Sequence, residues 1–296
     1  MFQKTTKLLL FKLKVYAWKI ISLFHKTVTI QTKQGVFTVF CADSVISRSL
    51  YYYGEFERDL YFKVFELLHG LKKIEPNKIG TVLDIGANIG VTSIGLINDK
   101  FVNKAIAIEP ESKNFSLLKQ NVEMNHLKNS IICLPYAITD KNKKVHLEIS
   151  NTIYGDHRIR SKFLSNLGPE LGNESKREVI NVEAKSLDVL MSSLPKDFTK
   201  NIKLIWVDVQ GSEGHVLLGG KNIFSKNIPT VMEIWPYGLK RLNISKEKFC
   251  RIAESYWRYH WVMRKEKFIR YPNSVLNVLF DELGDKGDFT NIIFTK

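Results

Sequence analysis

The chain has 296 residues, 44% hydrophobic and 25% charged, so it is not disordered and can fold as one large domain or as a domain with an extension. The three cysteines are widely separated and the seven histidines form no H-E-x-x-H or H-x-H cluster, so neither a disulfide framework nor a metal site is predicted. The net charge of +14 would attract phosphate, acidic glycans or anionic lipid, but abundant Lys, Asn and Ile are also typical of AT-rich genomes, so charge alone does not establish nucleic-acid binding.

Residues 1–26 combine lysines with large apolar side chains at helical spacing. The lysines would cost about 3 kcal/mol each at a bilayer centre, and no small-residue cleavage site follows, so neither a membrane span nor a signal peptide is predicted. We expect an amphipathic helix whose apolar stripe packs on the protein's own core and whose lysine face is free for peripheral contact with an anionic membrane. The alternative is a helix lying on the membrane, with Tyr16 and Trp18 at the interface. The stripe consists of Leu9, Leu13, Tyr16, Ile20, Leu23 and Phe24, with Lys4, Lys12, Lys19 and Lys26 grouped opposite it.

Alternation and helical spacing predict the elements that follow. Residues 27–41 alternate in hydrophobicity around a short glycine turn, which predicts a β-hairpin, and residues 55–71 have the spacing of a helix. From residue 81 onward, strands and helices alternate, which is typical of a parallel sheet with helices on both faces. We therefore divide the chain into an extension at residues 1–54, holding the helix and the hairpin, and an α/β domain at residues 55–296.

A long insertion interrupts the domain at about residues 141–200. It contains two predicted strands and a polar loop at residues 151–176, and an insertion of this length between cofactor-binding strands is expected to have a function. Two terminal strands, at residues 260–270 and 290–295, complete a seven-stranded, mostly parallel sheet whose last pair is antiparallel.

The most informative stretch is residues 81–90, where an apolar strand runs into Asp84 and then into a turn with Gly86 and Gly90. The next strand ends in Glu109, an acid placed to accept both hydroxyls of a ribose. A dinucleotide motif opened at Gly86 would need glycines at positions 88 and 91, where the chain has asparagine and valine. The pattern instead suits a cofactor without phosphates, such as S-adenosylmethionine, with its sulfonium against Gly86 and its charge answered by Asp84. The alternative is a buried strand with an ordinary turn.

Further motifs accompany this turn in a fixed order. They are Asp84-Ile85-Gly86-Ala87-Asn88-Ile89-Gly90, Ile108-Glu109-Pro110, Tyr154-Gly155-Asp156-His157-Arg158-Ile159 and Val207-Asp208-Val209-Gln210-Gly211-Ser212-Glu213-Gly214. Together they resemble the FkbM family of S-adenosylmethionine-dependent methyltransferases over about residues 55–235. The resemblance implies a Rossmann-like class I methyltransferase fold and, usually, action on a hydroxyl oxygen of a sugar or natural product.

The resemblance also implies a set of cofactor contacts. They are Asp84, Gly86, Ala87, Asn88, Gly90 and Glu109. Many methyltransferases have an acid before the alanine that follows the third strand, whereas this chain reads Pro135-Tyr136-Ala137. Adenine recognition would there rest on backbone groups or on the Tyr136 ring.

Methyl transfer to a hydroxyl is an in-line displacement, in which the protein aligns the acceptor and removes its proton. Asp208 lies at the carboxyl end of a strand, where ligands of open α/β sheets bind, and is our first candidate for the base or for orienting the acceptor. The alternative is that it only caps the turn before the next helix. Gln210 in the same turn could hydrogen-bond the acceptor or the cofactor. Glu233 ends a later strand and is expected to face the acceptor, and Trp235 could stack on a sugar ring.

His157 lies in a polar cluster inside the insertion. A histidine with an unperturbed pKa of about 6.5 is a serviceable base at neutral pH, and Asp156 could raise its basicity. We expect Arg158 to bind an acidic substrate group or Asp156 rather than to do chemistry. The alternative is a charged surface loop.

The sequence thus predicts an O-methyltransferase for a sugar, glycan or natural product, cytoplasmic or peripheral at the inner membrane surface. Its expected partners are a small-molecule or glycan acceptor and an anionic membrane. A nucleic-acid methyltransferase would suit the charge, but the Asn/Asp-Pro-Pro-Tyr/Phe motif is absent, Asp208-Val209-Gln210-Gly211 stands in its place, and nucleic acid is not expected. A non-catalytic membrane-surface adaptor would suit the N-terminal helix but would not require acids at three strand ends.

Overall fold

The computed structural model describes residues 2–75, 80–161 and 170–296, with the side chains of residues 2–8 excepted. Residues 162–169 of the predicted polar loop lie outside the described residues. The helices are α1 (Phe2–Phe24), α2 (Ile46–Tyr53), α3 (Arg58–Gly70), α4 (Val91–Asn98), α5 (Ser112–Met124), α6 (Leu187–Ser192), α7 (Lys196–Thr199), α8 (Glu213–Gly219), α9 (Lys221–Phe224), α10 (Pro236–Arg241), α11 (Lys246–Tyr256) and α12 (Leu276–Leu283). The strands are β1 (Thr27–Gln31), β2 (Val36–Phe40), β3 (Thr81–Ile85), β4 (Lys104–Ile108), β5 (Ile131–Leu134), β6 (Ala137–Thr139), β7 (Lys143–Ile149), β8 (Arg158–Ile159), β9 (Glu178–Ser186), β10 (Ile202–Val207), β11 (Thr230–Ile234), β12 (Tyr259–Arg264), β13 (Lys267–Pro272) and β14 (Thr290–Thr295).

The central sheet has eight strands among the described residues, in the order β13-β12-β14-β11-β10-β3-β4-β5. The strands from β11 to β5 in this order are parallel, whereas β14 is antiparallel to β11 and β12, and β13 is antiparallel to β12. The sequence predicts seven strands because it treats residues 260–270 as one. A turn at Lys265 and Glu266, with φ of 47° and 68°, divides that segment. Asn and Gly usually occupy such left-handed positions, so Lys-Glu gives no turn signal.

Alternate residues of the parallel strands face opposite layers of helices. Leu83 and Ile85 of β3 belong to the apolar cluster that includes α6, α8 and α11, whereas Val82 belongs to the cluster that includes α3, α4 and α5. Every residue of β3 and of β11 is buried. The carboxyl ends of the parallel strands β3, β4, β10 and β11 lie at one edge of the sheet, and an acidic residue stands at or next to each of them.

The N-terminal helix α1 packs on the domain through a face other than the predicted one. Trp18 is only 2% exposed, and its ring lies 4.9 Å from that of Tyr51 and 6.4 Å from that of Tyr52, both on α2. Phe11 lies on the same face of α1, 5.7 Å from Tyr52. The predicted packing stripe instead faces solvent, so the prediction that it packs on the core is wrong. Periodicity shows which residues share a face, but the tyrosines of α2 decide which face is covered.

The hairpin of β1 and β2 lies where the sequence predicts it and covers α5. The amide of Val36 donates to the side chain of Asn125, which follows α5, at 3.0 Å, and that of Thr38 donates to Asn121 of α5 at 2.7 Å. Among the described residues, no helix combines the length and the apolar character needed to cross a bilayer.

Three strands of the insertion, β7, β8 and β9, form a second sheet together with β6, in the order β6-β9-β7-β8. Arg241 at the end of α10 is fully buried and lies 2.9 Å from Glu148 of β7 and 2.9 Å from Glu174. Arg158 of β8 pairs with Glu174 as well. Removing one partner of such a buried pair typically costs about 3–5 kcal/mol, because the other charge stays buried and unpaired. These ion pairs therefore fix the insertion to the segment that follows β11.

Candidate cofactor and acceptor site

A cavity of about 500 Å³ lies beyond the carboxyl ends of β3, β4, β10 and β11, with the second sheet as its other wall. This volume is within the range of about 300–1,000 Å³ typical of small-molecule sites. Of the site residues predicted from the sequence, Gly90 is the one that does not line it. The predicted residues in the lining are Asp84, Gly86, Ala87, Asn88, Glu109, Tyr136, Ala137, Asp156, His157, Arg158, Asp208, Gln210, Glu233 and Trp235.

Gly86 and Gly90 are required by the packing of the protein itself. Their φ angles are 92° and 91°, in the region that favours glycine. A Cβ on Gly86 would lie 1.8 Å from the carbonyl oxygen of Asp208, and one on Gly90 would lie 2.7 Å from Cδ1 of Leu118. Gly86 therefore lets β3 approach the end of β10, and Gly90 lets α4 begin against α5. Close approach of a ligand to Gly86 stays a prediction.

Asn88 fastens the loop at Tyr154 to the turn after β3. Its Nδ2 donates to the carbonyl oxygen of Tyr154 at 2.8 Å, and its Oδ1 accepts from the amide of Ile89 at 2.8 Å. Asn114 donates to the same carbonyl at 3.0 Å. Because the protein already engages both ends of the Asn88 amide, the structure gives this side chain a positioning role at the cavity wall.

Glu109 and Asp84 bring two buried carboxyl groups to the cavity. Glu109 accepts from the amide of Asn88 at 3.0 Å and from that of Glu111 at 2.8 Å, one amide to each oxygen. Burial raises the pKa of Glu109 to about 8, against the opposite effect of the two amides. Burial likewise raises the pKa of Asp84 to about 7, although Ser93 Oγ donates to it at 2.6 Å. Backbone amides thus hold the Glu109 carboxyl group in place, while burial raises the pKa values of both Glu109 and Asp84.

A second group of acids lies where β10 and β11 end. The side-chain amide of Gln210 donates to Asp208 Oδ1 at 2.7 Å and to Glu233 Oε1 at 3.1 Å. Burial raises the pKa of Asp208, and the bond from Gln210 acts against that rise. Burial, followed by the charge of Asp208, raises the pKa of Glu233 well above its ordinary value. A carboxylate with a raised pKa is a stronger base than an exposed one, which suits proton removal.

Glu57 joins this second group, although no sequence motif marks it. It precedes α3 with a left-handed φ of 52° and lines the cavity while remaining exposed to solvent. Partial desolvation at the cavity wall, and then the charge of Asp208, raise the pKa of Glu57. In the sequence it falls in the periodic pattern of residues 55–71, where it is indistinguishable from a solvent-facing helical residue. Its left-handed backbone, which redirects the side chain, has no signature in a glutamate.

His157 accepts a hydrogen bond rather than facing a carboxylate. Its Nδ1 lies 3.1 Å from the amide nitrogen of Ser150, which donates to it. The neutral ring therefore carries its proton on Nε2, which is buried and has no partner among the described residues. Burial lowers the pKa of His157, against the raising effect of Glu111 and Asp156. With its lone pair engaged by an amide, His157 is arranged to donate a hydrogen bond from Nε2 and not to serve as a base.

Asp156 and Arg158 are engaged with each other. Arg158 Nε donates to Asp156 at 2.5 Å, and Arg177 donates to Asp156 at 2.6 Å. The sequence left two partners open for Arg158, an acidic substrate group or Asp156, and the structure shows the pair with Asp156. The guanidinium of Arg158 also lies 4.5 Å from the ring centroid of Trp235, so the protein already covers one face of that indole. Tyr136 is covered in the same way, by Lys185 Nζ at 4.0 Å.

The residues present fit S-adenosylmethionine in charge and size. Burial disfavours the charged forms of Asp84, Glu109, Asp208 and Glu233, and a bound cation would offset that effect. Asn114 adds a buried Oδ1 at the cavity wall that has no hydrogen-bond partner among the described residues. An acidic cavity in a protein of net charge +14 is therefore suited to a cationic ligand and supplies an acceptor for its polar groups.

The family model described as the Methyltransferase FkbM domain matches residues 84–246. That range begins at Asp84 on β3 and includes the ends of β4, β10 and β11. It therefore includes Asp84, Glu109, Asp208 and Glu233, whereas Glu57 lies before it. No curated protein matches the chain.

Solved structures of several methyltransferases match the chain at low identity. FkbM from Methylobacillus flagellatus KT is 15% identical with a TM-score of 0.39, over 73% of this chain and 43% of that chain. The tRNA m1G37 methyltransferase of M. jannaschii is 12% identical with a TM-score of 0.40, over 92% and 56%. TYW2 from P. horikoshii in complex with MeSAdo is 12% identical with a TM-score of 0.41, over 91% and 70%. The chain spans less than half the length of the first of these proteins.

Proposed function

The chain belongs to the FkbM methyltransferase family, and we propose that it transfers a methyl group from S-adenosylmethionine to a hydroxyl oxygen of a sugar, glycan or natural product. The observation that carries this proposal is the meeting of Asp84, Glu109 and Asp208 at one cavity. They lie at the ends of three neighbouring strands, β3, β4 and β10. Family membership supports methyl transfer as the reaction. The three carboxyl groups support S-adenosylmethionine as the cofactor and a hydroxyl-bearing molecule as the acceptor.

Glu109 and Asp84 form the cofactor side of the cavity in this proposal. When bound, S-adenosylmethionine supplies an electrophilic methyl group on a cationic sulfonium. Glu109 accepts the ribose hydroxyls, because each of its oxygens has a lone pair left after accepting one backbone amide. Asp84 complements the positive charge from the centre of the sheet. Tyr136 and Ala137 border the adenine, and the face of Tyr136 opposite Lys185 is the one available to it.

Asp208 forms the acceptor side and removes the proton of the hydroxyl. Its raised pKa makes it a stronger base, while Gln210 holds one of its oxygens and leaves the other for the acceptor. His157 donates from Nε2 to an acceptor or cofactor oxygen, which satisfies its otherwise unpartnered proton. Glu233 accepts from a further hydroxyl and remains linked to Asp208 through Gln210.

The charge of the lining favours a hydroxyl-bearing acceptor without phosphates. Arg158 is the one Lys or Arg among the described lining residues, and Asp156 and Glu174 already pair with it. A nucleic-acid backbone would instead meet Glu57, Asp208 and the other carboxylates, where binding requires cations. The overall positive charge lies outside the cavity, so it does not favour nucleic acid as the acceptor.

Calorimetric titration with S-adenosylmethionine tests the cofactor assignment. The wild-type protein should bind it, and Glu109→Gln should lose about 1–3 kcal/mol because a ribose acceptor is replaced by a partly donating amide. Glu123→Gln, an exposed change on α5, is the matched control and should bind like the wild type. Equal affinity of the wild-type and Glu109→Gln proteins would contradict the assignment.

The acceptor is tested by mass spectrometry of glycans and small molecules from cells with and without the gene. We expect one species to lose the mass increment of a methyl group when the gene is absent, and the purified enzyme to restore it. Restoration on tRNA or DNA, with no change in glycans or small molecules, would contradict the proposal.

A further inference from the structure

The α1 stripe, which we define as the outward apolar face of the N-terminal helix, has no partner among the described residues. Its side chains are large and range from 45% to 78% exposed. They are Leu9, Leu10, Leu13, Tyr16, Ile20, Leu23 and Phe24. Contiguous apolar surface of this kind, on a helix of 23 residues, marks an interaction site rather than ordinary exposure.

The packing of α1 does not account for the α1 stripe. Trp18 and Phe11 attach the helix to α2, and they lie about half a turn away from Leu13 and Ile20. The helix therefore has two apolar faces, one covered by the protein and one open. The second face is not needed for folding onto the domain, so another surface must cover it.

The charges beside the α1 stripe identify that surface. Lys12 and Lys19 are exposed and lie along one edge of the stripe rather than opposite it, and Lys14, whose Nζ donates to the Tyr52 carbonyl at 3.1 Å, lies along the other. We propose that the α1 stripe docks the protein on an anionic lipid bilayer, with the apolar side chains in the headgroup and acyl boundary and the lysines against the headgroups. A second copy of the chain is disfavoured because the same lysines would face each other across the contact.

Co-sedimentation with vesicles tests this docking surface in the full-length protein. The wild type should bind vesicles of phosphatidylcholine mixed with phosphatidylglycerol, and should bind pure phosphatidylcholine much more weakly. The double variant Leu13→Gln/Leu23→Gln should partition at least about tenfold more weakly, since burying even one such side chain is worth about that factor. Lys12→Gln/Lys19→Gln should weaken binding by about fivefold per lysine and reduce its sensitivity to salt.

A matched control is the double variant Val189→Gln/Val278→Gln. Both valines are 49% exposed, and they lie on α6 and α12, away from α1. This variant should bind vesicles like the wild type. Equal binding by the Leu13→Gln/Leu23→Gln variant, or wild-type binding that is the same on both lipid compositions, would overturn the proposal. So would a wild-type dimer in the ultracentrifuge that the leucine variant makes monomeric without any vesicle binding, because the stripe would then serve a second copy.

Discussion

The side-chain amide of Gln210 donates to both Asp208 and Glu233, at 2.7 and 3.1 Å, and so joins the acid that follows β10 to the acid near the end of β11. The backbone of Gln210 is left-handed, with a φ of 53°, and this conformation turns its side chain back toward the strand ends. The same donor thus acts on two carboxyl groups whose pKa values are both raised. Gln210 therefore influences the proton affinity of the proposed base.

Replacing Gln210 by glycine removes the shared donor while keeping a residue suited to a positive φ. The bond from Gln210 lowers the pKa of Asp208, so its loss should raise that pKa further. We expect the rising limb of kcat/KM against pH to shift to higher pH and the activity at neutral pH to fall. A pH profile unchanged in Gln210→Gly would show that Asp208 is not the base.

Asp208→Asn and His157→Gln separate the two candidate bases. Removing a general base typically lowers the rate by about 10² to 10⁴, and we expect that loss in kcat for Asp208→Asn, with cofactor affinity near that of the wild type. His157→Gln keeps a donor near Nε2 and should lose far less. Steady-state kinetics with calorimetry on the same preparations gives both values. A larger loss of kcat in His157→Gln than in Asp208→Asn would reverse the assignment.

The protein without its ligand should become less stable as the pH rises from mildly acidic to alkaline values. Burial raises the pKa values of Asp84 and Glu213 to about 7 and that of Glu109 to about 8, from about 4 when unfolded. Between pH values of about 4 and 8 the folded protein therefore holds more protons than the unfolded one, so the free energy of unfolding decreases as pH rises. A difference of one unit between the folded and unfolded pKa values of a single group changes the free energy of unfolding by about 1.4 kcal/mol, which shifts Tm by about 2–4 °C.

Glu213→Gln tests whether Glu213 contributes to this dependence of stability on pH. Glu213 Oε1 accepts from the amides of Val209 and Gly211, at 3.1 and 3.3 Å, and a glutamine can keep both bonds. We expect a smaller change in Tm with pH than in the wild type, measured by scanning calorimetry. Glu254→Gln, at an exposed position on α11, should leave the slope unchanged. A wild-type Tm that rises with pH across this window would refute the prediction.

Asn88→Gly and Asn88→Ala distinguish the hydrogen bond from the backbone conformation. Both variants lose the bond to the Tyr154 carbonyl, but only alanine is strained at the φ of 51°. We expect Asn88→Gly to lose about 1–3 kcal/mol and Asn88→Ala about 1–2 kcal/mol more, by chemical denaturation. Equal stabilities of the two variants would mean that the turn relaxes when the side chain is removed.

Trp18→Ala should destabilise the protein, whereas Tyr16→Ala should not. Trp18 is buried against α2, and loss of a buried tryptophan typically costs about 3–5 kcal/mol. Tyr16 is 67% exposed, and surface changes usually stay within about 0.5 kcal/mol. Denaturation curves of the two variants give the comparison. A destabilised Tyr16→Ala protein would mean that the stripe packs on the domain.

The strand-end acids could be predicted because the pattern that places them is local. Asp84 and Glu109 each follow a short apolar run, and such runs become parallel strands whose carboxyl ends meet. The features that the sequence did not predict depend on contacts between distant segments or on unusual backbone angles. Glu57 lines the cavity from a residue with positive φ, and the turn that divides the predicted terminal strand also has positive φ, at Lys265. Which face of α1 is covered depends on Tyr51, which is distant in sequence.

The buried arginine of α10 makes the second sheet inseparable from the rest of the domain. Arg241 pairs with Glu148 of β7 and with Glu174, so both partners come from the insertion. A chimaera that received the corresponding insertion from a relative would leave this guanidinium without a counter-ion if the graft lacked both glutamates. Transplanting acceptor preference among family members should therefore require the insertion and α10 to be exchanged together.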